Sequence, residues 1–200
     1  TELELNQFLK QLSKASVSIQ TSVEIPAAVN TDYELVTTLD RFEFWLSQCR
    51  KARVFALDTE TTSLVSRHAE LVGISLAPAE SKACYVPVAH LTGEQLDIKV
   101  VLNHVSNLLA DPTMTMVGHN LKYDLTVLET VGLIPRCVLA DTMLMSYVLD
   151  AAGGRHDMDS LAKRLLGVDT ISYEDVCGKG AKQIGFAAVT LEQASEYAAE

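Results

Sequence analysis

Two hydrophobic periods share this chain. Residues 54–57, Val-Phe-Ala-Leu, form an unbroken apolar run of strand-favouring side chains, as in a strand covered on both faces. Residues 33–37 alternate and read as an edge strand, and residues 70–77 and 84–88 read as two more. The polar links between the 54–57, 70–77 and 84–88 segments are short, which predicts an antiparallel meander, with Pro87 at an edge or at its strand's end. Helical spacing dominates elsewhere. Residues 40–51 place Phe42, Trp45 and Leu46 inward, with Asp40 near the N-cap. Residues 96–109 form a helix stopped by Asp111-Pro112. A short strand over 115–117 leads through the turn 118–120 into a helix over 121–131, where Leu121, Leu125 and Leu128 share a face. Residues 137–140 give a last short strand, and helices follow over 141–149, 158–166 and 191–200. At the other end, residues 1–20 suit a short amphipathic helix with Leu3, Leu5, Phe8, Leu9 and Leu12 on one side, and residues 22–30, holding Pro26, suit a linker. The expected division is therefore a helix and linker over 1–30 and one domain over 31–200.

Antiparallel strands followed by alternating helix and strand predict an α/β domain with a mixed five-stranded sheet, the three-strand meander plus parallel strands, and helices on both faces. That order suits the ribonuclease-H-like fold. The length of 200 residues allows one sizeable core. Nothing is apolar for long enough to span a membrane, and the first residues lack a signal-peptide pattern, so no membrane partner is expected. Cys49, Cys84, Cys137 and Cys177 are far apart and form no C-x-x-C, which predicts reduced thiols in a cytoplasmic protein. A formal net charge of −10 argues against broad electrostatic binding of nucleic acid by this chain alone. A nucleic-acid enzyme stays open, because bound divalent cations offset acidic side chains.

The apolar run ends in Asp58-Thr59-Glu60. Positions i and i+2 of a strand point the same way, so Asp58 and Glu60 aim two carboxylates at one place. Carboxylates so placed raise each other's pKa unless a cation lies between them, and Mg²⁺ or Mn²⁺ suits an all-oxygen site. The competing reading is a polar strand end that caps the next turn. The second constellation is Gly118-His119-Asn120-Leu121-Lys122-Tyr123-Asp124. Asn120 is expected to cap the helix with its side chain, and His119 to be a hydrogen-bonded turn residue. Asp124 faces Asp58 and Glu60 if the 115–117 strand pairs with the Asp58 strand; otherwise it is a solvated helix residue. Tyr197, in Tyr-Ala-Ala-Glu at residues 197–200, lies on an amphipathic helix and by itself reads as a core or surface tyrosine.

Asp-Thr-Glu-Thr-Thr-Ser-Leu, Gly-His-Asn-Leu-Lys-Tyr-Asp and Tyr-Ala-Ala-Glu, in that order and spacing, resemble the three motifs of the 3′→5′ proofreading exonuclease domain of bacterial DNA polymerase I. That domain is a DEDD exonuclease of the tyrosine subgroup. The resemblance covers most of residues 33–200, including the stretches from Asp141 to Leu149 and from Gly154 to Ala162. It implies metal-dependent removal of nucleotides from the single-stranded 3′ end of DNA, with two divalent ions, Mg²⁺ or Mn²⁺. It also implies a polymerase domain elsewhere in the same parent chain.

By the same resemblance Asp58 bridges both metals, Glu60 holds the first metal and the attacking water, and Asp124 serves the second metal. Tyr197 orients the attacking water. Thr61 and Leu64 match contacts to the terminal nucleotide, with Leu64 wedged between the last two bases. Asn120 and Tyr123 line the single-strand site, Tyr173 is an aromatic near the DNA, and Arg155 is a candidate for a phosphate contact. One departure stands out. The family's third motif is Tyr-x-x-x-Asp, and the residue that would be this Asp comes just after Glu200. The expectation is a domain cut short of its fourth carboxylate and of low activity in this form. Glu200 is roughly 100° away around the helix. The competing functions are a ribonuclease D-like RNA exonuclease and an inactive nuclease-fold scaffold.

Overall fold

The computed structural model describes residues 31–200, and the helix and linker expected over residues 1–30 lie outside the described residues. Strands β1 (Asp32–Leu35), β2 (Val54–Thr61), β3 (Leu71–Ala79), β4 (Lys82–Pro87), β5 (Thr115–Gly118) and β6 (Val138–Asp141) form one mixed sheet in the order β1-β4-β3-β2-β5-β6. The meander β2-β3-β4 is antiparallel, while β5 runs parallel to β2 and β6 parallel to β5. The sheet therefore has six strands, not the expected five. The sixth is β1, which pairs in parallel with β4 and extends its ladder through the Val36 N–H to the Tyr85 carbonyl at 2.8 Å. This covers a β4 edge whose backbone groups would otherwise lack partners. Pro87 accordingly marks the end of β4, opposite Gly73, and not the sheet edge.

The helices are α1 (Leu39–Ala52), α2 (Ile98–Leu109), α3 (Leu121–Thr130), α4 (Thr142–Leu149), α5 (Met158–Leu161), α6 (Tyr173–Cys177) and α7 (Leu191–Ala199). In α1, Phe42, Trp45, Leu46 and Cys49 recur at helical spacing and are all buried. Each large side chain so buried stabilises the fold by about 1.5–3 kcal/mol. They pack with α2 and α3 against Phe55 and Leu57 of β2, Ile74 and Leu76 of β3, and Cys84 and Val86 of β4. The alternate positions Val72 and Tyr85 face the other way, into a second core with Cys177, Phe186, Val189 and Ala194, roofed by α7. Tyr85 is fully buried, and its ring passes so close to Gly73 that an added Cβ there would stand 2.1 Å from the Tyr85 hydroxyl. All four cysteines are free and buried. No helix among the described residues is long and apolar enough to cross a membrane.

Two elements differ from their expected form. Residues 158–166 do not make one α-helix. The chain winds as α5, then as a π turn over Ala162–Leu166, and stops at Gly167 with φ 71°. No side chain of that turn is buried, so no packing holds it to a regular α-helix. Asp141 belongs to β6 as its last residue, and α4 starts one residue later than the pattern suggests. No residue of α4 is buried.

Candidate active site

β2 carries the first two acidic groups to the end of the sheet. Phe55, Leu57 and Thr59 turn to the buried side, and Asp58 and Glu60 alternate with them as half-buried side chains. The β2–β3 register slips between Glu60 and Thr61. Such a bulge bends a strand and redirects the side chains beyond it.

β5 brings the third. It pairs with β2 as far as Ala56 and Val117, then turns through Gly118, His119 and Asn120 into α3. Gly118 is needed there, because a Cβ would stand 2.4 Å from Leu121 Cδ2 and 3.3 Å from the Leu57 carbonyl. Asn120 adopts the left-handed conformation, φ 62° and ψ 45°, which asparagine tolerates better than most residues. It stands at the N-cap position of α3, but its side chain makes no capping bond. That corrects the expected role. The Asp141 carboxylate caps instead, accepting from the N–H groups of Asn120 at 3.2 Å and Leu121 at 2.9 Å.

One turn into α3, Asp124 is 2 % exposed, so it is not a solvated helix residue. Its Oδ1 accepts from the Thr59 backbone N–H at 3.0 Å and the Thr59 hydroxyl at 2.6 Å. This locks α3 onto the strand that carries Asp58 and Glu60. Burial pushes the Asp58 carboxyl well above the usual range, and the Asp124 charge adds to that. Glu60 is pushed up to about 8, first by burial and then by the charges of Asp58 and Asp124. Asp124 is raised by burial, although the two bonds from Thr59 hold it down in part. None of the ion pairs among the described residues involves these three side chains. Three such carboxylates, with Asp124 close enough to raise both Asp58 and Glu60 and none with a basic partner among the described residues, suit a divalent cation in donor type and charge. As oriented, no three acidic, His or Cys side chains among the described residues close into a cage, and Asp124 keeps one oxygen on Thr59.

Tyr197 comes from α7 on the other side of the sheet. Its ring packs against Phe186 at 5.7 Å and edge-on to Tyr173 at 6.5 Å. Burial and then the charges of Glu60 and Asp58 raise its phenol above the usual value, so the hydroxyl keeps its proton at neutral pH. Glu200, at the end of the same helix, accepts from the Ile171 N–H at 2.5 Å. Leu64 is 94 % exposed just beyond β2. Tyr123 is half-buried, with its hydroxyl bonded to the Ser63 carbonyl and the Thr61 hydroxyl. Tyr173 opens α6, capped by Ser172, and burial and then Cys177 push its phenol up to about 12. Arg155 is exposed and donates to Asp157 at 2.8 Å, and Asp157 in turn caps α5.

Asp141 and Thr59 are the site residues that the sequence reading missed. An aspartate immediately before an apolar helical run was the available signal for the first. Its second helix, 21 residues earlier, left none. His119 is a hydrogen-bonded turn residue, its Nδ1 2.9 Å from the Thr142 hydroxyl and its Nε2 2.9 Å from the His156 carbonyl.

Comparison with known proteins matches residues 33–200 to the 3′-5′ exonuclease family. DNA polymerase I of Pseudomonas aeruginosa is 43 % identical over all of this chain, and the match covers 23 % of that protein. DNA polymerase I of Rhizobium leguminosarum is 40 % identical over 82 % of the chain and 18 % of the relative, so the chain spans about a fifth of their length. Among solved structures, Escherichia coli RNase D, an exoribonuclease involved in structured RNA processing, aligns with a TM-score of 0.60 and 24 % identity. It covers 84 % of this chain and 41 % of that one. The EXO domain of Aedes aegypti Nibbler aligns with a TM-score of 0.62 at 12 % identity, over 87 % and 85 % of the two chains. At these identities the solved structures show the fold alone, a ribonuclease-H-like α/β domain. The family match, together with the polymerase relatives, places the chain in the 3′-5′ exonuclease family, as an exonuclease domain of the DNA polymerase I kind.

Proposed function

We propose that this domain removes nucleotides one at a time from single-stranded or frayed 3′ ends of DNA, as the proofreading part of a DNA polymerase I. The observation that carries this reading is the meeting of Asp58, Glu60 and Asp124, all raised by burial, with the Asp124 charge raising Asp58 and both aspartates raising Glu60, and none with a basic partner among the described residues, in a 3′-5′ exonuclease domain. These three are the residues that would hold two divalent ions, Mg²⁺ or Mn²⁺. Bound there, such ions lower the pKa of an attacking water and neutralise charge on the phosphate. The chain's own residues do the rest. Thr59 holds one Asp124 oxygen and leaves the other for ligation. Tyr197 keeps its hydroxyl protonated and orients a water for in-line attack. Leu64, exposed and apolar, wedges against the terminal base. Tyr123 braces the Thr61–Ser63 turn below it, Asn120 lines the strand's path, and Tyr173 offers an exposed ring. Arg155 reaches a phosphate if it exchanges Asp157 for it. A mispaired end melts more often than a paired one, so a site open only to single strands selects it. The parent polymerase is supported by relatives about five times as long as this chain.

The test is release of mononucleotides from 3′-labelled single-stranded DNA and RNA with Mg²⁺. The domain is prepared with the residues that follow Glu200 in its proposed parent. DNA is expected to be cut from the labelled end, and Asp124→Ala to lower the rate about 10²–10³-fold. Equal cutting by Asp124→Ala removes the site assignment, and preference for RNA favours the ribonuclease D-like function.

A further inference from the structure

Outside the three carboxylates the most connected side chain near the site is Asp141. Its Oδ1 accepts from the N–H groups of Asn120 at 3.2 Å, Met143 at 2.9 Å and Leu144 at 3.2 Å. Its Oδ2 accepts from the Leu121 N–H at 2.9 Å. One carboxylate thus serves the N-termini of two helices, α3 and α4, that are 21 residues apart in sequence. Each helix start exposes N–H groups that need an acceptor, and the helix dipole favours an anion there. The next residue continues the grip. The Thr142 hydroxyl donates to the Gly118 carbonyl at 3.1 Å and lies 2.9 Å from His119 Nδ1. Gly118, His119, Asn120 and Leu121, the whole turn between β5 and α3, are each held by Asp141 or Thr142. That turn fixes where α3 begins, and Asp124 lies three residues after Leu121, on the first turn of α3.

We infer that Asp141 is a positioning residue for Asp124: by clamping the start of α3 to the end of β6, it sets where the Asp124 carboxylate stands relative to Asp58 and Glu60, and so sets the affinity for the catalytic cation. Thr59 secures the carboxylate end of Asp124, and Asp141 secures the backbone from which it springs. Without Asp141 the left-handed turn at Asn120 loses the acceptor for two successive N–H groups, and α3 is free to shift or fray at its first turn.

The inference rests on the metal reading of the site and is tested by electron paramagnetic resonance of free Mn²⁺ on the domain prepared, as above, with the residues that follow Glu200 in its proposed parent. The dissociation constants of the parent, Asp141→Ala, Asp141→Asn and Asp97→Ala are compared. Asp97 is the control, a helix cap of α2 whose carboxylate accepts from Lys99 and Val100 of its own helix. Outer partners of metal ligands typically change affinity about 10–100-fold, so Asp141→Ala is expected to weaken Mn²⁺ by that factor. Asp97→Ala lowers the melting temperature and leaves Mn²⁺ affinity at the parent value. Asp141→Asn keeps the Oδ1 acceptor, loses the one facing Leu121, and weakens Mn²⁺ several-fold; it decides the matter if Asp141→Ala does not fold. A merely structural role reduces the number of binding sites through unfolding without moving the dissociation constant. Parent-like affinity in folded Asp141→Ala, or in Asp141→Asn if the alanine variant is unfolded, overturns the inference. Failure of the parent to bind Mn²⁺ overturns the metal reading instead.

Discussion

Asp124 is a buried acid that has to ionise to serve as a ligand. Asp124 is almost fully buried, which favours its neutral form, and the Thr59 N–H and hydroxyl oppose that by bonding to the charged form. Thr59→Val removes the hydroxyl and keeps the shape. The folded-state pKa of Asp124 then rises further, so the ionised ligand is lost at a higher pH. The acid limb of Mn²⁺ binding is expected to move up by about one pH unit, since a hydrogen bond to a charged group contributes roughly 1.5–3 kcal/mol and one unit is about 1.4 kcal/mol. Binding measured between pH 5 and pH 8 checks it, and an unmoved midpoint means that Thr59 does not govern Asp124. The acids of this site were legible in the sequence because each sits at a readable point: Asp58 and Glu60 at the end of an apolar run, Asp124 one turn past a glycine turn. Thr59 was not, because a threonine between two acids carries no sign of a partner 65 residues away. Asn120 shows the opposite error. The pattern placed it correctly at the N-cap, but its left-handed backbone gives the capping to Asp141.

At the element scale the core patterns were readable and the marginal elements were not. β2 and α1 bury residues at periods of two and of three to four, and β3 and β4 are buried in continuous runs, so the hydrophobic pattern located all four. The pairing of β1 with β4 joins strands far apart in sequence, and local pattern does not encode it. The stretch after α5 buries nothing, so its apolar residues gave a helical signal without the packing to enforce regular geometry. The close crossing of β3 and β4 gives a direct check. Gly73→Ala drives a methyl into the buried Tyr85 ring, which is hemmed in by His90 and Phe186. Overpacking of this kind costs about 1–3 kcal/mol. Urea denaturation is expected to show that loss, and a variant as stable as its parent means that the ring moves freely aside.

Across the whole molecule, the three raised carboxylates are a source of instability that a bound cation would relieve. Asp58, Glu60 and Asp124 all have folded-state pKa values above their unfolded ones. The unfolded chain therefore releases these protons first as pH rises. The resulting destabilisation starts near pH 4, grows through the range in which the folded groups resist ionising, and is complete above about pH 8, the value for Glu60. Asp111, Asp157 and Asp175 have lowered values and act oppositely, stabilising the fold above pH 4 and failing it below. Without metal the melting temperature is expected to fall by a few degrees from pH 5 to pH 8, and Mg²⁺ to restore it at pH 8 while changing little at pH 5. Calorimetry with and without chelator checks this, and a variant with Asp58→Asn, Glu60→Gln and Asp124→Asn should lose both effects. Equal Mg²⁺ stabilisation at the two pH values contradicts the assignment of the cation to these groups.

The central claim is that Asp58, Glu60 and Asp124 together hold the catalytic cation. Anomalous diffraction from crystals of the domain soaked in Mn²⁺ tests it most directly. A Mn²⁺ peak is expected in contact with oxygens of Asp58 and at least one of Glu60 and Asp124, absent in Asp58→Asn crystals. A domain that degrades DNA with Mn²⁺ while its Mn²⁺ peak lies away from these side chains would contradict it.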